Sequence, residues 1–389
     1  MRKDSRESRN RKKDLDSGSR ITLWGGQRVR YKRAREMNTL TIGSGKLREF
    51  GLNILAQLDV PREKAEICIE AFLFGSLRGI DTHGIFPLLP RMARERRAGL
   101  IDPRADVRIV KRKSSTMLLD GCSGLGPLTA FQSMTEAIAL CREHGIGGVS
   151  THNCNHFGAA SFYGCQAAQE GLIGSTFSNA TPRVAPFGGR QGVHGTNPMS
   201  FVVPAGRFSP MVVDIATSAS SVGKINEALK KGQRIPDGWG LDREGNPTTD
   251  PEEALRGHLL PMGGHKGYGL GLIVDILTGA LAGSFCGTEV PPLDDLTTPY
   301  GASFFMLVLD PGRFAGSDIF IEKVERLIED CVTCPPMNGF DRVYFPGELE
   351  AMEEEKRKAT GIPVQEASLD TFFRGLREQN LEIEEGLLA

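Results

Sequence analysis

The sequence predicts a layered α/β fold with a small helical lobe, and three observations carry that expectation. Segments of helical and strand periodicity alternate along most of the 389 residues. No apolar run reaches the roughly 18 residues that cross a bilayer; the nearest, Gly267 to Ala282, is broken by glycines and Asp275. The Rossmann fingerprint, G-x-G-x-x-G between a strand and a helix, is missing. GLG at 124–126 runs into Pro127, and GYGLG at 267–271 lies within a helical pattern.

The elements follow in order. From Gly45 to Arg78, Leu47, Phe50, Leu52, Ile54, Leu55 and Leu58 recur at three- and four-residue spacings, and Pro61 then opens a second helix. A third helix runs from Leu88 to Ala98. Val107 to Leu119 alternates polar and apolar residues and reads as one strand. Phe131 to His144 is an amphipathic helix stopped by Gly145. IGGVSTHN reads as a buried strand, and Ala159 to Glu170 as a helix closed by Gly171. Ile173–Ser178, Met199–Pro204 and Met211–Ile215 are strands. A helix and a polar excursion rich in turn residues fill Gly223 to Gly257. Gly267 to Leu281 is an apolar helix, Phe304 to Leu309 a strand, and Asp318 to Cys331 a helix. The tail from Pro346 reads as helical and charged.

Charge is close to balanced, with 47 Lys and Arg against 48 Asp and Glu, but it is unevenly spread. The first 36 residues are strongly basic, so the remainder is acidic and nucleic acid is a poor partner for the folded part. Residues 1–36 have almost no apolar periodicity and read as a disordered basic tail, with Met37 as the expected natural start. The eight cysteines are scattered and follow no secretory signal, which suits reduced thiols in the cytoplasm. Cys331 and Cys334 form a single CxxC, and a zinc ribbon needs a second such pair.

Four segments carry chemistry. GIDTHG, Gly79 to Gly84, offers a hydroxyl and an imidazole between flanking glycines, which suits acid–base work on a small polar substrate. NHFGAAS, Asn155 to Ser161, sits at a strand-to-helix turn, where a helix N-terminus holds an anion. The third is SNATPRVAPFGG, Ser178 to Gly189, continued by GTNP at 195–198. The fourth pairs DIATS, Asp214 to Ser218, and Gly223-Lys224 with PMGGHKGYGL, Pro261 to Leu270. Glycines in these loops let backbone N–H groups approach a ligand.

Taken together, these segments resemble the malate/L-lactate dehydrogenase family of non-Rossmann type, which also contains ureidoglycolate, L-sulfolactate, 2,3-diketogulonate and piperideine-carboxylate enzymes. The match runs from about Met37 to about Leu376 and includes IPDGWGLDREGNPTTDP and a terminal PGE at Pro346 to Glu348. The resemblance implies a mixed-sheet NAD(P)-binding fold and hydride transfer at the 2-carbon of a small 2-hydroxy or 2-oxo acid. It implies a helical lobe at 37–105, a cofactor-binding α/β domain at 106–315, and a C-terminal helical segment at 316–389 packing on the first lobe. Catalytic roles fall on His83, His156 and Thr82, with either histidine as proton carrier. Ser178, Asn179, Asp214, Ile215, Ala216, Lys224, His265, Lys266 and Gly267 are the implied cofactor contacts, and NAD and NADP both stay open. A homodimer with no membrane or nucleic-acid partner is implied.

One departure bears on the substrate. Many members carry an arginine four residues after the active-site histidine, where it clamps a carboxylate. Here that position is Pro87 and the next arginine is Arg91. Arg91 is therefore the expected substrate clamp, with Asn179 orienting the substrate oxygen. Two other function classes remain. His152, Cys154 and His156 share one face if the strand continues through them, which would suit a metal-dependent hydrolase. A non-catalytic dinucleotide-binding protein is the second alternative.

Overall fold

The computed structural model describes residues 39–384 and 386, together with a short antiparallel pair, β1 (Ile21–Thr22) and β2 (Arg28–Val29). Apart from that pair, the tail expected over residues 1–36 lies outside the described residues.

The chain opens with strand β3 (Thr39–Ile42) and helices α1 (Ser44–Ala56), α2 (Arg62–Leu77) and α3 (Ile85–Arg97). Next come β4 (Arg108–Lys113), β5 (Thr116–Asp120), α4 (Gly126–His144), β6 (Ile146–Cys154), α5 (Ser161–Gln169) and β7 (Ile173–Ser178). After β8 (Met199–Val203) and β9 (Met211–Ile215), helix α6 (Val222–Lys230) leads into the polar excursion. That excursion holds the small strands β10 (Gly240–Leu241), β11 (Pro247–Thr248) and β12 (His258–Leu259) and the short helix α7 (Pro251–Arg256). Helix α8 (His265–Asp275) continues as a π turn over Ile276–Ala280. Strand β13 (Ala302–Leu309), helices α9 (Ser317–Val332) and α10 (Glu348–Thr360), strand β14 (Ile362–Gln365) and helix α11 (Glu366–Arg377) complete the chain.

A seven-stranded mixed sheet forms the centre, in the order β4-β5-β6-β13-β7-β8-β9. Only the β5–β6 pair is parallel. This is an α/β layer without Rossmann winding, as the sequence leads one to expect. Strands β6 and β13 lie in the middle and are mostly buried, which explains their near-continuous apolar or small residues. Helix α4 lies directly on β6: a Cβ at Gly147 would come within 2.0 Å of the Ala137 carbonyl oxygen. Only glycine lets the helix approach so closely.

A second core joins α1, α2 and α3 to the C-terminal α11. Strands β3 and β14 pair antiparallel, with Ile42 opposite Ile362. The Phe372 ring centre lies 5.6 Å from that of Phe50, tilted, and 5.3 Å from that of Phe86, edge to face, and the residue is almost wholly buried. Phe372→Ala is expected to cost about 3–5 kcal/mol through lost burial and a residual cavity. Urea unfolding checks this; a loss below about 1 kcal/mol would mean the site collapses without penalty.

Several elements differ from their sequence reading. The single strand expected over 107–119 is a hairpin, reversed at Ser114, whose φ is +44°. Alternation continues through a tight reversal, so periodicity alone does not reveal it. Helix α4 begins at Gly126, five residues before Phe131, because Pro127 suits a first helical turn. Helix α3 likewise starts at Ile85, with Pro87 tolerated in its first turn. The tail is not wholly helical: Gly361, at φ +90°, ends α10 and releases IPVQ to pair as β14.

Candidate active site

The functional segments converge at one end of the sheet. Strand pairing brings Cys154 opposite Ala302, Ser178 opposite Phe304, and Met199 opposite both Phe177 and Ile215. The ends of β6, β7 and β9 therefore meet the starts of β8 and β13. GIDTHG reaches this end from the helical unit as a single 3-10 turn, Asp81–His83, between α2 and α3. Glycines permit the approach. A Cβ on Gly75 would lie 2.5 Å from the His83 carbonyl oxygen, and one on Gly84 would lie 2.3 Å from Ser76 Oγ.

The two histidines expected to be catalytic face one another, with ring centroids 5.6 Å apart and the rings nearly parallel. They are 73 residues apart in sequence and both half-buried. His83 Nδ1 lies 2.9 Å from Thr82 Oγ1. His156 Nδ1 accepts the Gly158 N–H at 3.2 Å, so the neutral ring carries its proton on Nε2. The Asp214 carboxylate, at the end of β9, accepts the Ser161 N–H at 2.8 Å at the start of α5.

Burial lowers the pKa of both rings. For His83, burial and then the Arg91 charge pull downward, while the Asp214 carboxylate pulls upward. His156 is held well below the ordinary value by burial, Arg91 and His83, with no carboxylate in compensation. Burial raises Asp214 in turn, opposed by its bonds to Ser161 and by His83. Both histidines are thus neutral at pH 7. Below the ordinary value of about 6.5 the unfolded chain takes up protons that the folded chain refuses. Stability is therefore expected to fall as pH drops from about 6.5 toward the lowered folded values, and to lose nothing further from these groups below them. Urea midpoints for the wild type and His156→Gln check this. A pH slope unchanged by the substitution would show that His156 does not contribute.

Arg91 reaches the same place from α3. Together with Phe72, Leu88, Met92, Glu95, Ile101 and His156 it lines a small cavity. Its Nε donates to Glu95 Oε1 at 2.7 Å, its guanidinium lies 5.8 Å from the centre of the Tyr300 ring, and its Nη2 is buried without a partner. Pro87 is exposed on the same helix one turn earlier.

Of the remaining expected contacts, the Gly223-Lys224 turn meets the turn that carries His83. Lys224 is exposed in the first turn of α6, and the neighbouring Gly223 packs against Thr82, where a Cβ would lie 2.9 Å from Thr82 Cγ2. Ile215 and Ala216 run beside the loop before α8: Met262 N–H donates to the Thr217 carbonyl at 2.9 Å. His265 and Lys266 are exposed at the start of α8, and Gly267 is buried against Met262. Ser178 Oγ donates to the Asn179 carbonyl. The Asn179 amide is occupied by backbone, donating to the Phe285 carbonyl and accepting the Ser303 N–H, both at 2.8 Å. It supports the turn at Phe285 rather than facing the histidine pair.

The H-x-C-x-H cluster does not assemble. Strand β6 ends at Cys154, Asn153 already has φ +57°, and His156 swings to His83. Cys154 is buried, its Sγ 3.3 Å from the His152 carbonyl, and burial keeps the thiol protonated. Among the described residues no group of three His, Cys, Asp or Glu side chains is placed to hold a metal. Sequence reading missed two supports of the site. His194 is completely buried, with Nδ1 2.8 Å from the Gly195 carbonyl oxygen. Arg357, in the charged tail, bonds Asp81. Neither sits in a motif with a chemical signature of its own.

Comparison with known proteins gives the family and the fold. The sequence profile of the malate/L-lactate dehydrogenase family matches residues 42–372. The chain is 38% identical to an L-sulfolactate dehydrogenase of Methanothermobacter thermautotrophicus over 334 residues, covering 85% of this chain and 96% of that one. It is 34% identical to a (2R)-3-sulfolactate dehydrogenase (NADP(+)) of Chromohalobacter salexigens, covering 85% and 93%. The sulfolactate dehydrogenase structure from Methanocaldococcus jannaschii superposes with a TM-score of 0.83 at 34% identity, covering 89% of this chain and 99% of that one. The chain belongs to the malate/L-lactate dehydrogenase family.

Proposed function

We propose that His83 carries the proton and Arg91 holds the carboxylate in hydride transfer between NAD(P) and the 2-carbon of a small 2-hydroxy or 2-oxo acid. The observation that carries this reading is the buried, partnerless Nη2 of Arg91 in a cavity lined by His156. Buried donors in native proteins have acceptors, so a substrate carboxylate oxygen belongs there. Glu95 already holds Nε, which fixes the fork and turns its open edge to the cavity.

The roles of the two imidazoles follow from their surroundings. Asp214 favours the charged form of His83, whereas burial, Arg91 and His83 all oppose the charged form of His156. His83 therefore protonates the substrate oxygen during reduction and removes its proton during oxidation. His156 stays neutral and donates Nε2–H to the same oxygen. Thr82 fixes the His83 ring through Nδ1.

The nicotinamide, when bound, supplies or accepts the hydride. The residues present fit such a dinucleotide. Helix α8 begins without a side-chain cap, behind Gly263 and Gly264 at φ +57° and +65°, with open space over Gly263. An uncapped helix N-terminus beside exposed His265 and Lys266 suits a phosphate. Ser178, Asp214 to Ala216 and Lys224 would hold the rest, and Asn179 would shape the floor.

A homodimer completes the reading. Helix α8 and its continuation expose Leu270, Ile273, Ile276 and Leu281, an apolar face on the element that starts with His265, and Phe285 in the following loop is exposed too. A second copy is its occupant, and Ile273→Asp should give monomers in analytical ultracentrifugation. A dimer unaffected by that change would place the interface elsewhere. Eight free thiols, three of them fully buried, suit the reducing cytoplasm.

The test is a spectrophotometric screen. NADH and NADPH are each offered with pyruvate, oxaloacetate, oxoglutarate, sulfopyruvate, a diketo acid and a cyclic imine acid. Cofactor oxidation with at least one 2-oxo acid is expected. Binding of NAD(P)H without turnover across the panel would favour the non-catalytic alternative.

A further inference from the structure

We propose that Arg357 is a positioning residue for the catalytic turn, acting on His83 through Asp81. The inference rests on the assignment of His83 to the reacting site. The turn Asp81–His83 has little of its own to hold it: the His83 N–H donates to the Ile80 carbonyl at 2.8 Å, and the Gly84 N–H to the Asp81 carbonyl at 3.3 Å. Its geometry is fixed from outside at two points. After the turn, buried Ser76 Oγ accepts the Ile85 N–H at 2.9 Å. Before it, Arg357 of α10 reaches in from the far end of the chain.

The guanidinium grips several groups together. Nη1 donates to Asp81 Oδ1 at 2.6 Å and to the Ser76 carbonyl at 2.5 Å, and Nη2 donates to Asp81 Oδ2 at 3.3 Å. Nε is held by Glu353 at 2.7 Å. Arg78 donates to Glu354 at 2.7 Å and makes a second link between α2 and α10. A planar fork bonded to a carboxylate and a carbonyl fixes orientation in a way that a lysine does not.

Two features separate positioning from simple docking. Arg357 is the one buried residue of α10, so the helix meets its neighbours through this guanidinium and not through an apolar face. An ion pair whose carboxylate is largely exposed is a poor source of net stability, but the buried guanidinium makes it directional. The start of α10 is also tied to β9: the Val212 N–H donates to the Pro346 carbonyl at 2.9 Å, and Gly347, at φ +89°, leaves no room for a side chain against Val212. Two residues further along β9 stands Asp214. Helix α10 thus links the strand carrying Asp214 to the turn carrying His83, and it sets their separation. This gives the PGE segment at 346–348 a role.

The experiment compares Arg357→Gln, Arg357→Lys, Asp81→Asn and the double variant Arg357→Gln/Asp81→Asn in the full chain. Asp81 is largely exposed, so Asp81→Asn breaks the link with little risk to folding. Arg357→Gln and Asp81→Asn are each expected to lower kcat by about 10- to 100-fold, the range for sub-ångström misplacement, with NAD(P)H Kd within about twofold of wild type. The double variant should lose no more than the worse single variant, and Arg357→Lys should recover only a small part. Amide hydrogen exchange of the segment from Gly79 to Phe86 should rise in each, a readout independent of turnover. Unchanged kcat in Asp81→Asn, unchanged exchange, full recovery by lysine, or additive losses would each overturn the proposal. Failure of the dehydrogenase reading is seen separately, as absence of turnover in the wild-type protein with exchange effects still measurable.

Discussion

His83→Gln is expected to lower kcat by about 10²- to 10⁴-fold in both directions, the span of general acid–base assistance. Binding of NAD(P)H, followed by fluorescence, should stay within about twofold, because the implied dinucleotide contacts lie on β7, β9, α6 and α8 and not on this turn. The ring is the only group at the site that has both an imidazole and a carboxylate favouring its charge. His156→Gln should be milder. It removes a neutral donor whose proton position is set by the Gly158 N–H, and glutamine restores part of that bond. The double variant should show no measurable turnover yet still bind cofactor. The pH dependence has a defined sign. Reduction needs imidazolium, so its kcat/KM should decline as pH rises through the lowered His83 value. Oxidation needs neutral imidazole and should hold at neutral pH, then fall as pH drops through that value. A wild-type rate in His83→Gln, or a pH profile that moves only in His156→Gln, would transfer the proton to His156.

Much of this site is legible in the chain because short motifs with flanking glycines carry it. GIDTHG and NHFGAAS name both histidines; Gly75 and Gly84 let α2 close on the turn that carries His83, and Gly158, at φ +87°, lets the chain turn after His156. Strand and helix periods likewise give the central layer, although β7 is buried on both faces and β9 is fully buried only at Val212. What the sequence hides is set by tertiary contact. His152, Cys154 and His156 look like one face of a strand, but the strand stops at Cys154 and the backbone turns at Asn153. Asn179 sits in a motif rich in ligand-like residues, yet two backbone groups take its amide. Arg357 lies among glutamates and lysines, EEEKRK, where a solvated helix face is the ordinary reading. Nothing local marks that one of those charges is buried, because its partners at Ser76 and Asp81 are 281 and 276 residues away.

Arg91→Met is the second large effect, with kcat/KM for the preferred acid expected to fall by about 10²- to 10³-fold. That corresponds to about 3–4 kcal/mol, the usual cost of truncating one partner of a buried charge-assisted contact. The substitution has a second consequence that must be separated from the first. Glu95 is buried and paired with Arg91, so methionine strands a carboxylate, and breaking a buried pair costs about 3–5 kcal/mol of stability. The double variant Arg91→Met/Glu95→Gln removes the stranded charge while still lacking the clamp. Its stability should return toward wild type, whereas its kcat/KM should not. Arg91→Lys keeps a charge but loses the planar fork, so it should recover affinity for carboxylate only in part and at the expense of orientation. Among substrates, the loss should vanish for an analogue whose carboxylate is replaced by a neutral amide, because wild type and variant then lack the same contact. If Arg91→Met/Glu95→Gln turns over every 2-oxo acid as wild type does, the carboxylate is bound elsewhere. Lys224, which follows the Gly223 that packs against Thr82, is then the cation to substitute next.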